Sequence, residues 1–145
     1  MERSNSSRFL RLALAADAVA TGVTALALFG LAKPLSSLFQ LPAELLFGAG
    51  LSLVPFVAFV GGVARSQSPR PAAVWAVIAC NLAWVAGSAA LALSGAIAPN
   101  ALGYAFVALQ AVVAGAFAEL ELVGLRRARI SASRLTGASA STARP

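Results

Sequence analysis

Four apolar stretches, each about 20 residues or longer, dominate the chain, and about 20 is the length a helix needs to cross a hydrocarbon core roughly 30 Å thick. They cover approximately residues 9–32, 43–64, 72–97 and 101–125. Inside lipid no water satisfies the backbone, so each stretch must bond within itself as a helix. The expected fold is therefore all-α, an integral membrane four-helix transmembrane bundle spanning residues 1–129. Composition agrees. Of the 145 residues 59% are hydrophobic and 11% charged, whereas a soluble domain covers itself with about a quarter charged residues.

The separators are turn-forming and polar. Lys33-Pro34 and Gln40-Leu41-Pro42 bracket the first connection, Arg65-Ser66-Gln67-Ser68-Pro69-Arg70-Pro71 makes the second, and Pro99-Asn100 the third. Such short links predict antiparallel neighbours. Within the first connection, residues 35–41 carry apolar side chains at helical spacing, which predicts a short amphipathic helix along the membrane surface. Residues 130–145 are rich in Ser, Thr, Ala and Arg without apolar periodicity, so a disordered, basic cytoplasmic tail is expected there.

Charge gives a direction. Arg3, Arg8 and Arg11 precede the first span, Arg65 and Arg70 sit in the middle loop, and Arg126, Arg127, Arg129, Arg134 and Arg144 follow the last. Only Lys33 lies on the opposite side. Positive loops stay in the cytoplasm, so both termini are expected inside a bacterial inner membrane. The basic start resembles a signal peptide, but Asp17 interrupts it and the apolar run continues to Ala32, too long for a cleaved leader. The net charge of +6 and pI near 11.4 then suit anionic lipid headgroups rather than nucleic acid.

Polar residues inside the spans are few, and a charge there costs at least about 2.5 kcal/mol, so each needs a reason. Asp17 and Glu119 each lie about 9–11 Å along their helix from the nearest cytoplasmic arginine. Asp17 shares a small, polar stripe with Ala13, Thr21 and Thr24; Glu119 shares one with Ala108, Ala111 and Gly115. The two stripes are expected to pack together, with Asn81 joining them from the third span. Two readings stand side by side: a proton or cation site of Asp17, Asn81 and Glu119, or a structural one in which Asn81 bonds between helices while Asp17 and Glu119 reach protons, water or arginines near the interface. The second is favoured, because no further ionisable residue continues a path across the membrane. Glu121 is expected to pair with Arg126, Arg127 or a loop arginine, and Gln110 with a facing helix.

Gly22, Gly87, Ala111 and Gly115 are candidate points of close helix approach, and packing also accounts for Gly48-Ala49-Gly50. Trp75 and Tyr104 are placed as interfacial anchors, with Arg126 and Arg127 at the headgroups. Pro55 interrupts backbone bonding in the second span. A faint repeat relates Ala25-Leu26-Ala27-Leu28 to Ala90-Leu91-Ala92-Leu93, and Gly22 to Gly87; in a chain this rich in Ala and Leu it is read as coincidence.

The chain has no histidine and one cysteine, Cys80. Histidine-based triads, His-ligated metals, Cys-rich metal sites and CxxC redox pairs are thereby excluded. No phosphate-binding glycine motif occurs. Neither a metal nor a cofactor is expected, and the chain is read as non-enzymatic.

The runs Ala118-Glu119-Leu120-Glu121-Leu122-Val123-Gly124-Leu125-Arg126-Arg127 and Val74-Trp75 to Asn81-Leu82-Ala83-Trp84-Val85 resemble uncharacterised four-span inner-membrane proteins of proteobacteria. That resemblance covers most of the chain and implies no activity. Four short spans with an acid in the first are also similar to small multidrug transporters, whose third-span aromatic and glycine pattern this chain lacks. The function favoured by the residues is an accessory or scaffold subunit docking on a larger membrane complex. The alternative is an oligomeric proton-coupled transporter or channel using Asp17 and Glu119.

Overall fold

A computed structural model describes the backbone of residues 2–142 and the side chains of residues 7–131 and Ser133. Five helices follow one another, α1 (Glu2–Gly30), α2 (Ala32–Phe39), α3 (Ala43–Arg65), α4 (Pro71–Leu93) and α5 (Ala101–Thr142), and the described residues contain no strand. Four of them, all but α2, are long and apolar enough to cross a membrane. At 23 residues each, α3 and α4 reach about 35 Å at a rise of about 1.5 Å per residue.

Helix ends follow local chemistry. Pro71 opens α4, where its missing N–H costs nothing. Gln40 takes a left-handed conformation and stops α2. Ser94 and Gly95, with φ +70° at Gly95, end α4 at Leu93. The third span is thus shorter than the apolar run to residue 97 suggests, because a left-handed glycine stops a helix that hydropathy alone would continue. Asn100 caps α5 by accepting from the Gly103 N–H at 2.9 Å, and its amide donates to the Leu38 carbonyl at 2.8 Å. One side chain therefore starts α5 and ties it to α2. The helix α5 runs on to Thr142, through the segment for which the sequence predicts no regular structure.

Packing follows an unequal scheme. Helix α1 lies against both α3 and α5, and α5 lies against α4, whereas α3 and α4 touch sparingly although they are consecutive. Three glycines permit the closest approaches. A Cβ on Gly50 would stand 2.9 Å from the Phe29 nitrogen, one on Gly124 3.1 Å from the Leu10 backbone, and one on Gly103 would meet the Phe39 carbonyl. The expected approach points are looser. Gly22 and Gly115 make ordinary contacts with Val57 and Val85, Ala111 is half-buried, and Gly87 is exposed with nothing near it. Gly22 and Gly87, equivalent in the faint repeat, thus have different surroundings.

Two apolar cores result. Leu10, Leu14, Val60, Val74, Val77 and Leu125 anchor one at the arginine-rich end, and Ala25, Leu28, Leu41, Leu46 and Leu53 anchor the other beside α2. At the first end Arg11 donates to the Ala64 carbonyl at 3.2 Å, and the Arg127 guanidinium lies 5.2 Å from the centre of the Phe9 ring. At the second, Phe39 stacks on Phe106 with centroids 4.7 Å apart. The outer surface is apolar too: Leu12, Val19, Leu26, Leu93 and Val112 are all exposed.

Candidate functional site

Between the two cores the helices hold a cluster of polar side chains. Asp17 on α1 is fully buried. Its Oδ1 accepts from the Thr21 hydroxyl at 2.9 Å, one turn further along the same helix. Its Oδ2 accepts from the Asn81 amide of α4, also at 2.9 Å. Asn81 is itself 4% exposed. Asp17 and Asn81, two of the three residues singled out from the sequence, are thus in direct contact.

The third is not there. Glu119 is exposed on the outer face of α5, and the acid that meets Asp17 and Asn81 is Glu121. Successive residues on a helix are turned by about 100°, so Glu119 and Glu121 lie on nearly opposite sides of α5. The buried positions Ala114, Ala118, Glu121 and Leu125 form one helical stripe, and Glu119 falls outside it. A small-residue stripe can be drawn through either acid; contact with α1 selects the one containing Gly124. Glu121 does not reach an arginine as the sequence suggests: it is 0% exposed, both its oxygens lack a hydrogen-bond partner, and Arg126 and Arg127 are exposed.

Helix direction explains how the two acids meet. Leu10 abuts Gly124. From that contact Asp17 lies seven residues, about 10 Å, along α1, whereas Glu121 lies only three residues, about 4.5 Å, back along α5. Side chains lean toward their own helix N-terminus, and α1 and α5 are antiparallel. Asp17 therefore leans back and the longer Glu121 leans inward, closing the difference.

A cavity of about 480 Å³ adjoins the cluster. Asp17, Asn81, Thr21 and Thr24 line it with polar groups, and Phe56, Trp84, Val113 and Phe117 supply apolar walls. It lies where α3 and α4 separate, and its lining residues Ser52, Cys80 and Ala83 are exposed, so it is open to the outside of the helices. Gln110 and Trp84 also line a second, more apolar cavity of about 240 Å³ that extends toward α2. Gln110 thus borders both spaces.

The remaining residues lie at the periphery. Trp75 and Tyr104 are exposed in the first turns of α4 and α5, at opposite ends of the molecule, with Arg126 and Arg127 near the Trp75 end. No group of three acidic, histidine or cysteine side chains suited to a metal occurs among the described residues. The chain matches no family model, no curated protein and no solved structure.

Proposed function

We propose that the chain is a multi-pass bacterial inner-membrane protein, its four long helices a bundle with both termini in the cytoplasm, that couples a proton to movement of a small molecule. One observation carries the reading: two acids from different helices, Asp17 and Glu121, meet in a buried site, and Asp17 lines a cavity. Two bare carboxylates in one dry site repel each other, so the pair needs a proton or another cation between its members. A group that must be gained when the cavity is empty and can leave when it is filled is the elementary part of a coupled carrier. The gap between α3 and α4 supplies an entrance.

The test is proton movement in pyranine-loaded proteoliposomes challenged with a panel of cationic, anionic and neutral solutes. At least one class should drive protein-dependent proton movement, lost in Asp17→Asn and Glu121→Gln and kept in Glu119→Gln. Silence across the panel, or movement indifferent to both buried substitutions, would remove the carrier.

A second reading, the accessory or scaffold subunit, is supported by Glu119. Its carboxylate is exposed on α5 beside the exposed Leu120 and Val123, about 10 Å along the helix from Arg126. A neighbouring membrane helix with a donor would cover it. Crosslinking from Glu119→Cys in gently solubilised membranes should then recover one stoichiometric partner, and a protein that stays solitary would count against this reading. The likeness to four-span proteobacterial proteins fits either reading and lends no activity to choose between them.

A further inference from the structure

The buried cluster has too few donors. Asp17 and Glu121 bring four carboxylate oxygens, each able to accept twice, and ionised carboxylates donate nothing. The Thr21 hydroxyl and the Asn81 amide both donate to Asp17. Glu121 is left with two unpartnered oxygens at 0% exposure. Buried polar atoms are almost always satisfied, so the pair calls either for a proton on one acid, which then donates to the other, or for a species that brings N–H donors and positive charge in the proton's place.

The adjoining space narrows what that species is. Asp17 is the member of the pair that lines the cavity, together with Asn81, whereas Glu121, which meets both, does not. An anion would meet two carboxylates. A neutral apolar molecule would suit Trp84, Phe56 and Phe117 but leave the donor deficit untouched. A bare or hydrated metal ion would supply charge yet press water on those apolar walls, and no group of three acidic, histidine or cysteine side chains is arranged to hold one among the described residues. A sugar would want hydrogen-bond partners all round it, whereas Phe56, Trp84, Val113 and Phe117 present apolar surface.

We propose that the cavity binds an organic amine in its ammonium form, the charged end on Asp17 and an apolar, ring-sized body against Trp84. The volume of about 480 Å³ is within the range of sites that hold drug-sized ligands. N–H donors of the ammonium add to those of Thr21 and Asn81 on Asp17 from the cavity side, while the second hydrogen of the Asn81 amide, which its bond to Asp17 leaves unused, faces Glu121. The ring of Trp84 adds an aromatic face for the cation's neighbouring carbons. The charged and titratable groups facing the site are Asp17 from α1, Glu121 from α5 and the Cys80 thiol from α4; α4 also contributes the neutral Asn81, and among the residues lining the cavity α3 contributes none. This assignment rests on the carrier reading for one clause only: there, the arriving ammonium replaces the proton held by the acid pair, so the charge of the site is the same before and after.

Two intrinsic probes test it. Trp84 lines the cavity and Trp75 does not, so in a Trp75→Phe background energy transfer to a dansyl group reports occupancy beside Trp84. N-dansylethylenediamine, a cation, should give saturable transfer; dansylamide, neutral, and dansylglycine, an anion, should bind at least tenfold more weakly. Asp17→Asn should weaken the amine at least tenfold, and Glu119→Gln should change it less than twofold. Cys80, the single cysteine, lines the same cavity, so the amine should slow its maleimide labelling in the otherwise unaltered protein, which needs no variant to fold. Thr24→Phe, which fills the space and leaves both acids in place, should abolish protection. Equal binding of all three dansyl compounds, or protection of Cys80 by dansylglycine as strong as by the amine, would overturn the amine site. Proton movement driven by another solute class, with no amine binding, would overturn the amine site alone. Amine binding that releases no proton would leave the site standing and overturn the carrier.

Discussion

The Asn81 amide donates to Asp17 at 2.9 Å, joining α4 to α1, two helices whose backbones do not approach each other closely. The bond spans a region where α4 is otherwise held by α5. Replacing Asn81 by Leu removes that donor and leaves one Asp17 oxygen without a partner. The expected loss is about 1–2 kcal/mol of stability, read from unfolding in mixed detergent. A variant as stable as the parent would show that the bond contributes nothing net.

Glu121→Gln should act in the opposite direction on stability. The amide retains the shape and can donate to Asp17 without a bound proton, so no repulsion returns when the site would lose its proton, adding about 1 kcal/mol. Proton movement should be lost at the same time, a separation of stability from activity. Destabilisation by this substitution would argue that Glu121 is already well partnered.

The glycines divide by position. Gly50→Ala and Gly124→Ala place a methyl against the backbone of α1, and each should cost about 1–3 kcal/mol. Gly87→Ala meets nothing within 4 Å and should be neutral or raise stability by up to about 1 kcal/mol through helix propensity. The same unfolding assay ranks all three, and a loss at Gly87 equal to that at Gly50 would contradict the packing.

Asn100→Ala removes both the cap on α5 and the bond to Leu38. Caps of this kind contribute about 1 kcal/mol. Hydrogen exchange at the Gly103 amide should rise, together with that of the α2 end; unchanged protection there would mean that another group caps the helix.

Topology has its own test. Alkaline phosphatase fused after residue 98 should be active, and fused after residue 67 or 129 inactive, as arginine-rich loops remaining inside require. Activity at residue 129 would reverse the orientation.

The number and order of the long helices are determined by the sequence, because hydropathy and breaking residues are local properties; their ends are less so, since α4 stops at Leu93 and α5 continues to Thr142. Asp17 and Asn81 also stood out, since a polar group in an apolar run is conspicuous by itself. The choice between Glu119 and Glu121 was not legible. They lie two positions apart on one helix, and only the rotation of α5 about its axis, fixed where Leu10 abuts Gly124, decides which turns inward. In a water-soluble helix the polar side reveals that rotation. An apolar surface faces outward here, so core and exterior look alike in the sequence, and tertiary packing alone distinguished them. The opening between α3 and α4 has the same origin: it depends on what α1 and α5 hold apart, which no local pattern records.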